Sequence, residues 1–535
     1  MSLRVVVIGG GLAGITAAIA LAESGAEVTL LEARPRLGGA TSSFTRDGLT
    51  VDTGQHVFLG CCTAYRGLLG QLGMTGHAPV QDRFDVTVLA PGPAGRPRQA
   101  RLRRTALPGP LHMLPALGRY PFLSLAERAF VGRPALAMRR LDPADPVVDA
   151  QRFGDWLAAR GQSERARRAL WDLFTVSALN IAGDDASLAL AATVVKTGLL
   201  GKNNAADIGV PARPLGELHG DAAAALLARL GARVALNTKV SAIEAGPAEL
   251  TPIPAAARGA GPADAGAIGA DFRPAARFRV RLARPADDAS LGTELAADAI
   301  VLAVPHEKAA PLLPPDALPS ATVEAWSGLG ASPIVNVHVI YDRPVTDLPF
   351  AAAVDSPVQW VFDRTSISGL RESDVGQSEP AQSQPAQSQP AQPQYLAISL
   401  SAADSYVDVP AARLREQFLP ALAELFPAAR DARVIEFFVT RERRATFRQV
   451  PGTGALRPKA GTRLAGLVLA GAWTDTGWPD TMEGAVRSGL SAAIELRQTV
   501  LTADHRSARI SSQGTATAAG PFEPNASAST IGVRQ

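Results

Sequence analysis

Leu3-Arg4-Val5-Val6-Val7-Ile8-Gly9-Gly10-Gly11-Leu12-Ala13-Gly14 decides the fold. Residues 3–8 read as a short, buried parallel strand. A Gly-x-Gly-x-x-Gly turn follows at once, and Ile15–Ser24 reads as a helix. Glu27–Leu31 then makes a second strand that ends in Glu32. This is a βαβ unit with a dinucleotide fingerprint at its first turn. Gly9 allows the tight turn, Gly11 lets the backbone approach a pyrophosphate, and Gly14 lets helix and strand pack closely. The helix N-terminus, with Leu12 and Ala13 in the turn that leads into it, offers free N–H groups and a positive dipole end to phosphates. Glu32 stands where a carboxylate accepts hydrogen bonds from both ribose hydroxyls.

The stretch Glu32-Ala33-Arg34-Pro35-Arg36-Leu37-Gly38-Gly39 resembles the flavin-containing amine oxidase and phytoene desaturase superfamily. In that superfamily an arginine four positions after the acid and a Gly-Gly turn wrap the FAD pyrophosphate. The matching residues here are Arg36, Gly38 and Gly39, with Ala33 beside the acid. Ala40 replaces the arginine that often follows. Val51-Asp52-Thr53-Gly54-Gln55-His56 looks like the second flavin-side strand and turn, which puts Gln55 and His56 at the cofactor. The return strand after Thr238 matches at Val240, whose backbone the resemblance lays on the adenine. Leu467–Gly471 and Trp473–Gly489 resemble the last FAD segment. There a helix opening at Thr481-Met482-Glu483 faces the flavin's O2 side, after Gly471. The acid that commonly follows that glycine is Ala472 here, and Asp475 is the nearby candidate to compensate.

The fingerprint with Gly38-Gly39-Ala40, the Gly54-Gln55-His56 turn and Thr474–Pro479 leading into Thr481–Gly489 are together similar to one family of the superfamily. These are the squalene-associated, FAD-dependent desaturase-like proteins, or hydroxysqualene dehydroxylases. The resemblance runs through most of 1–245 and 295–500. It implies an α/β fold: a Rossmann-like FAD-binding domain with a second α+β substrate domain, of the amine oxidase and phytoene desaturase type. The FAD-binding domain is expected to be discontinuous, at 1–75, 205–245, 295–310 and 455–500, with the substrate domain at 76–204 and 311–454. The implied activity is reductive removal of a hydroxyl from hydroxysqualene, an isoprenoid lipid, to give squalene for hopanoid synthesis. His56 is the first candidate for the proton donor, beside the alternative of a residue packed on the flavin. A carotenoid desaturase or isomerase, an amine oxidase and a non-catalytic prenyl-lipid escort are the other readings. No second dinucleotide fingerprint indicates the electron donor.

The 535 residues suffice for two domains, and a net charge of +3 from 53 basic and 50 acidic residues implies no nucleic-acid partner. Cys61 and Cys62 are adjacent, which supports neither a disulfide framework nor a metal site and reads as small residues at a helix start. The N-terminus enters the first strand directly and no apolar run reaches 18 residues, so a cytoplasmic protein is expected. Peripheral contact with the inner face of the cell membrane stays open. It rests on the stretch Ala106–Leu125, whose leucines are broken by Pro108, Pro110, Pro115 and Pro121. That stretch reads either as core-lining loop and short helices or as an amphipathic approach with Arg119 and Arg128 near headgroups. Residues 125–200 read as helical. Residues 247–274 and 376–394 read as flexible inserts, the latter with repeated Pro-Ala-Gln-Ser-Gln, and 502–535 as a disordered tail. His338 reads as a half-buried sheet residue, and Arg441, Arg443 and Arg444 as a solvated face, with a leaflet or the cofactor phosphates as alternatives.

Overall fold

The computed structural model describes residues 2–248, 276–370 and 392–516. Apart from their edges, the two inserts read at 247–274 and 376–394 lie outside the described residues, as does the tail beyond 516. Five parallel strands form one sheet in the order Leu467–Leu469, Ala299–Leu302, Arg4–Ile8, Glu27–Leu31, Arg233–Ala235. Arg4–Ile8 is its centre, with Val5 opposite both Val28 and Ala299. The uninterrupted apolar run is explained by cover on both faces. Val5, Val7, Leu30 and Val301 pack against the helices Leu12–Glu23 and Ala222–Arg229. Val6, Ile8, Leu31 and Leu302 share the opposite core with Ile243, Phe278 and Val280 of a three-stranded antiparallel sheet.

The second large sheet has seven strands, in the order Val434–Thr446, Ser332–Tyr341, Gln394–Leu400, Trp360–Asp363, Phe350–Ala353, Asp85–Ala90, Arg98–Arg103. Its pairs are antiparallel except Phe350–Ala353 with Asp85–Ala90. Val335, Val337 and Val339 alternate onto one face, where Leu414, Phe418 and Leu422 of the helix Ala411–Leu425 cover them. Residues 114–199 form a series of short helices, as their apolar spacing suggests.

Several elements differ from the sequence reading. The three arginines read as a solvated face lie in the strand Val434–Thr446, where Ile334 and Val335 hold Glu442 and Arg441 in the ladder. The three arginines are engaged there: Arg441 donates to the Val409 carbonyl at 2.6 Å, Arg443 pairs with Asp408 at 2.7 Å and Arg444 with Glu307 at 2.8 Å. His338 is fully buried, not half-buried. The last helix, Met482–Ala516, runs past Thr502 into the stretch read as tail. Residues 106–125 form a tight turn at Leu111–Met113 and a short helix at Leu114–Gly118, the prolines preventing a longer one. No helix among the described residues is long and apolar enough to cross a membrane.

Candidate functional site

The first turn is built by contact as much as by conformation. Gly9 has φ +108°, and its N–H donates to the Leu31 carbonyl at 2.8 Å. A Cβ on Gly9 would sit 2.3 Å from the Ala303 oxygen, and one on Gly14 would sit 1.9 Å from the Gly9 oxygen. Gly11 is different: a Cβ there would meet only the Gly39 Cα, at 4.0 Å, so the ground beside it is open. The helix Leu12–Glu23 begins at this point with no side chain capping it. Its first N–H groups, from Leu12, Ala13 and Gly14, are therefore free to meet an anion. The Gly38-Gly39 turn flanks the same ground, and the Gly38 N–H donates to the Gly10 oxygen at 2.8 Å.

Glu32 is held at the end of the second strand by two backbone donors. Oε2 accepts from Gly10 at 2.6 Å and Oε1 from Arg34 at 2.8 Å. Both oxygens keep lone pairs for a ribose. Ala33 and Ala40 are exposed beside it, and Arg36 donates to Ser42 Oγ at 3.2 Å. Thr238 donates its N–H to the Glu32 carbonyl at 2.8 Å, which brings the buried Val240 to the same end of the sheet.

The Gly54-Gln55-His56 turn lies where the two large sheets meet. Gln55 Oε1 is buried without a partner. The His56 ring donates to the Ala40 carbonyl and lies near Asp52 and Arg364. Burial holds its pKa below the ordinary imidazole value, against the opposing pull of Asp52 and the Ala40 hydrogen bond, so the ring is neutral near pH 7. Beneath it Asp52 forms a buried ion pair with Arg364. Asp52 also accepts from the Ser43 hydroxyl at 2.6 Å and the Leu215 N–H at 2.9 Å. Arg364 follows Trp360–Asp363 of the seven-stranded sheet, so this pair ties the flavin-side hairpin to the second sheet.

The last segment comes to the same junction. Gly471 donates its N–H to Ser488 Oγ at 2.9 Å, fixing the strand end on the last helix. Thr481 caps that helix, its Oγ1 accepting from Gly484 at 3.2 Å, and Met482 is its first residue. Glu483 does not face the cradle with its carboxylate. It accepts from Ala64 at 3.1 Å, Tyr65 at 2.8 Å and Arg487 at 2.8 Å, and so caps the helix Thr63–Gln71. Asp475 is exposed and receives the Gly477 N–H at 3.4 Å, so it is not brought to the cradle either.

Three functional candidates went unread in the sequence. Arg364 is one. Arg457 donates to the carbonyls of Ala472 at 3.0 Å and Thr474 at 2.5 Å and lies over the Phe447 ring, gripping the loop after Gly471. Asp480 is the third, and it carried a visible signal: a carboxylate between Trp478-Pro479 and the helix cap. An adenine dinucleotide suits this site. The open ground at Gly11 faces uncapped helix N–H groups, and Gln55 offers an orphaned acceptor at the far end.

The profile of the flavin containing amine oxidoreductases matches residues 12–496. The chain is 29% identical over 505 residues to a hydroxysqualene dehydroxylase of Rhodopseudomonas palustris, covering 92% of this chain and 98% of that protein. It is 26% identical over 501 residues to the one of Sinorhizobium fredii, with the same coverages. A zeta-carotene desaturase of Zea mays is 25% identical over 509 residues, covering 91% and 82%. Among solved structures, putrescine oxidase bound to putrescine has a TM-score of 0.63 at 18% identity, covering 93% of this chain and 99% of that one. Cyclohexylamine oxidase of Brevibacterium oxydans has 0.60 at 17%, covering 93% and 99%. These two establish the α/β fold with its second domain and nothing finer. The chain belongs to the flavin-containing amine oxidoreductase family and is an FAD-dependent oxidoreductase.

Proposed function

We propose that this chain removes the hydroxyl of hydroxysqualene reductively, giving squalene. The observation that carries the reading is the end-to-end likeness to two hydroxysqualene dehydroxylases, each covered over 98% of its length, against 82% for the zeta-carotene desaturase. Membership of an oxidoreductase family sets the escort reading aside. A carotenoid desaturase is the second reading, supported by that desaturase likeness.

When bound and reduced, FAD supplies a hydride to carbon. The chain's part is to hold and surround it. Gly11, Leu12, Ala13 and Gly14 take the pyrophosphate at the helix start, flanked by Gly38, Gly39 and Arg36. Glu32 takes the ribose and Val240 the adenine. Gln55, His56 and the helix start at Thr481-Met482 take the flavin end, where that N-terminus favours negative charge. An allylic hydroxyl ionises toward a delocalised cation, so this reading requires that water be excluded from the reacting carbon until it is reduced. The lipid reaches the enzyme at a membrane surface, through exposed leucines on residues 107–136.

An anaerobic experiment tests the reading. Photoreduced enzyme is mixed with hydroxysqualene while flavin absorbance and lipid products are followed. Flavin reoxidation with squalene appearing supports it. Flavin that stays reduced beside unchanged hydroxysqualene refutes it and leads to assays of oxidised enzyme with polyene precursors.

A further inference from the structure

Removing a hydroxyl takes more than a hydride. The oxygen leaves carbon readily only as water, so a proton must reach it while the bond breaks. We infer that Asp480 donates that proton, from its seat where the last helix meets the seven-stranded sheet. The inference rests on the dehydroxylation reading above.

The Asp480 N–H donates to Gln449 Oε1 at 3.1 Å, and Asp480 Oδ2 accepts the Phe447 N–H at 2.9 Å. These bonds pin the carboxyl between the end of the strand Val434–Thr446 and the start of the helix Met482–Ala516. Oδ1 takes no hydrogen bond among the described residues. The side chain is largely buried and still keeps some accessible surface, two positions before Met482 at the start of the last helix. Burial pushes its pKa up to about 6, against the Phe447 N–H and the Arg457 guanidinium, with Glu307 adding a like charge. Glu307 is itself paired with Arg444 at 2.8 Å and lies 3.4 Å from His306. A carboxyl so placed is partly protonated near neutral pH and is matched to general acid work.

The other titratable groups of the candidate site are committed elsewhere. The neutral His56 holds no second ring proton. Asp52 is ion-paired to Arg364, Glu483 caps a helix and Asp475 faces solvent. In the step, the Asp480 O–H bond breaks and its proton passes to the substrate hydroxyl. The carbon–oxygen bond breaks with its electron pair on oxygen, and water leaves. The carbon accepts the hydride of the reduced flavin. The products are hydrocarbon, water, oxidised flavin and the Asp480 carboxylate beside Arg457, which regains its proton from solvent.

The test compares wild type, Asp480→Asn and Asp480→Glu, each loaded with FAD and photoreduced, in single turnover with hydroxysqualene and with its acetate ester. The ester's leaving group needs little protonation. We expect Asp480→Asn to keep its flavin spectrum and slow the alcohol about 100-fold or more, while the ester reacts near the wild-type rate. Asp480→Glu should restore part of the alcohol rate. The wild-type rate on the alcohol should fall as pH rises through about 6, and Asp480→Asn should lack that limb. Infrared spectra of the proteins at acid and alkaline pH, without turnover, should show a protonated buried carboxyl band that Asp480→Asn lacks. Equal loss on alcohol and ester would make Asp480 a structural residue and overturn the proposal, as would an unchanged alcohol rate or absence of the band. Wild-type enzyme inert toward hydroxysqualene would overturn the dehydroxylase reading itself and the proposal with it.

Discussion

The three fingerprint glycines do different things, and substitution separates them. Gly11→Ala places its Cβ in the open ground. The apoprotein should unfold at the wild-type denaturant midpoint while the purified protein loses most of its flavin absorbance. Gly14→Ala drives a Cβ into backbone and should lose about 1–3 kcal/mol, read as a lower midpoint. Histidines give a second test. The Tyr65 hydroxyl donates to His219 Nε2 at 2.7 Å, while Nδ1 donates to the Thr41 carbonyl at 3.1 Å. Burial lowers the His219 pKa from 6.5 to about 4. Because the folded value lies below the unfolded one, its stabilising effect is complete above pH 6.5 and is lost as pH falls toward 4. The loss amounts to about 3 kcal/mol. Denaturation across that window should show it, and His219→Gln, which takes no proton, should show a shallower decline. At this scale legibility follows chain distance. The glycines and Glu32 could be read because one βαβ unit positions them. Asp52 and Arg364 lie 312 positions apart, and no local pattern announces their pairing.

The last helix joins cofactor geometry to packing. The carboxylate of Glu483, in its first turn, serves the N-terminus of Thr63–Gln71, a helix with no side-chain cap of its own. Glu483→Ala should lower stability by about 2 kcal/mol, because two backbone donors and the Arg487 guanidinium lose a buried partner. Glu483→Gln should recover part of that, as thermal unfolding of both variants would reveal. Gly489 lets the same helix cross the first one closely, since a Cβ there would lie 2.3 Å from the Ala13 oxygen. The run Met482-Glu483-Gly484 pointed to a helix start from sequence alone. Which task each residue performs did not show, because it depends on Ala64 and Tyr65 from the other end of the chain. The extension of Val434–Thr446 through its arginines was hidden for a related reason: ladder pairing with Ser332–Tyr341 overrides the charged composition.

Across the whole molecule, two sheets meet along a junction crossed by the Asp52–Arg364 pair and the Asp480–Phe447 hydrogen bond. Large apolar side chains are exposed along residues 107–136, besides Val147, Leu490 and Ile494 elsewhere. Leu125 is 79% and Leu136 61% accessible, with Leu107, Leu111, Leu114 and Phe130 also exposed. Exposed Arg119, Arg133 and Arg139 lie on the same stretch. Such a surface suits an anionic lipid leaflet. The enzyme should sediment with vesicles containing phosphatidylglycerol, and replacing Leu111, Leu114, Leu125 and Leu136 by serine should leave it in the supernatant with its flavin intact. Sedimentation equal to wild type would refute the contact. Prolines at 108–121 made the lack of a long helix legible. Which leucines stay outside was not, since exposure depends on what the short helices pack against.

The order of strands across the parallel sheet also governs when the protein can form. Leu467–Leu469 is the last strand among the described residues, yet it covers the edge of Ala299–Leu302, the immediate neighbour of Arg4–Ile8. During synthesis the fingerprint emerges hundreds of residues before Leu467–Leu469, with an apolar strand edge unpaired meanwhile. Native contacts of such long sequence separation form slowly, and open edges invite association with other chains. Chaperone protection of the unfinished sheet should therefore raise the yield of folded enzyme, read as soluble flavoprotein made with and without added chaperones.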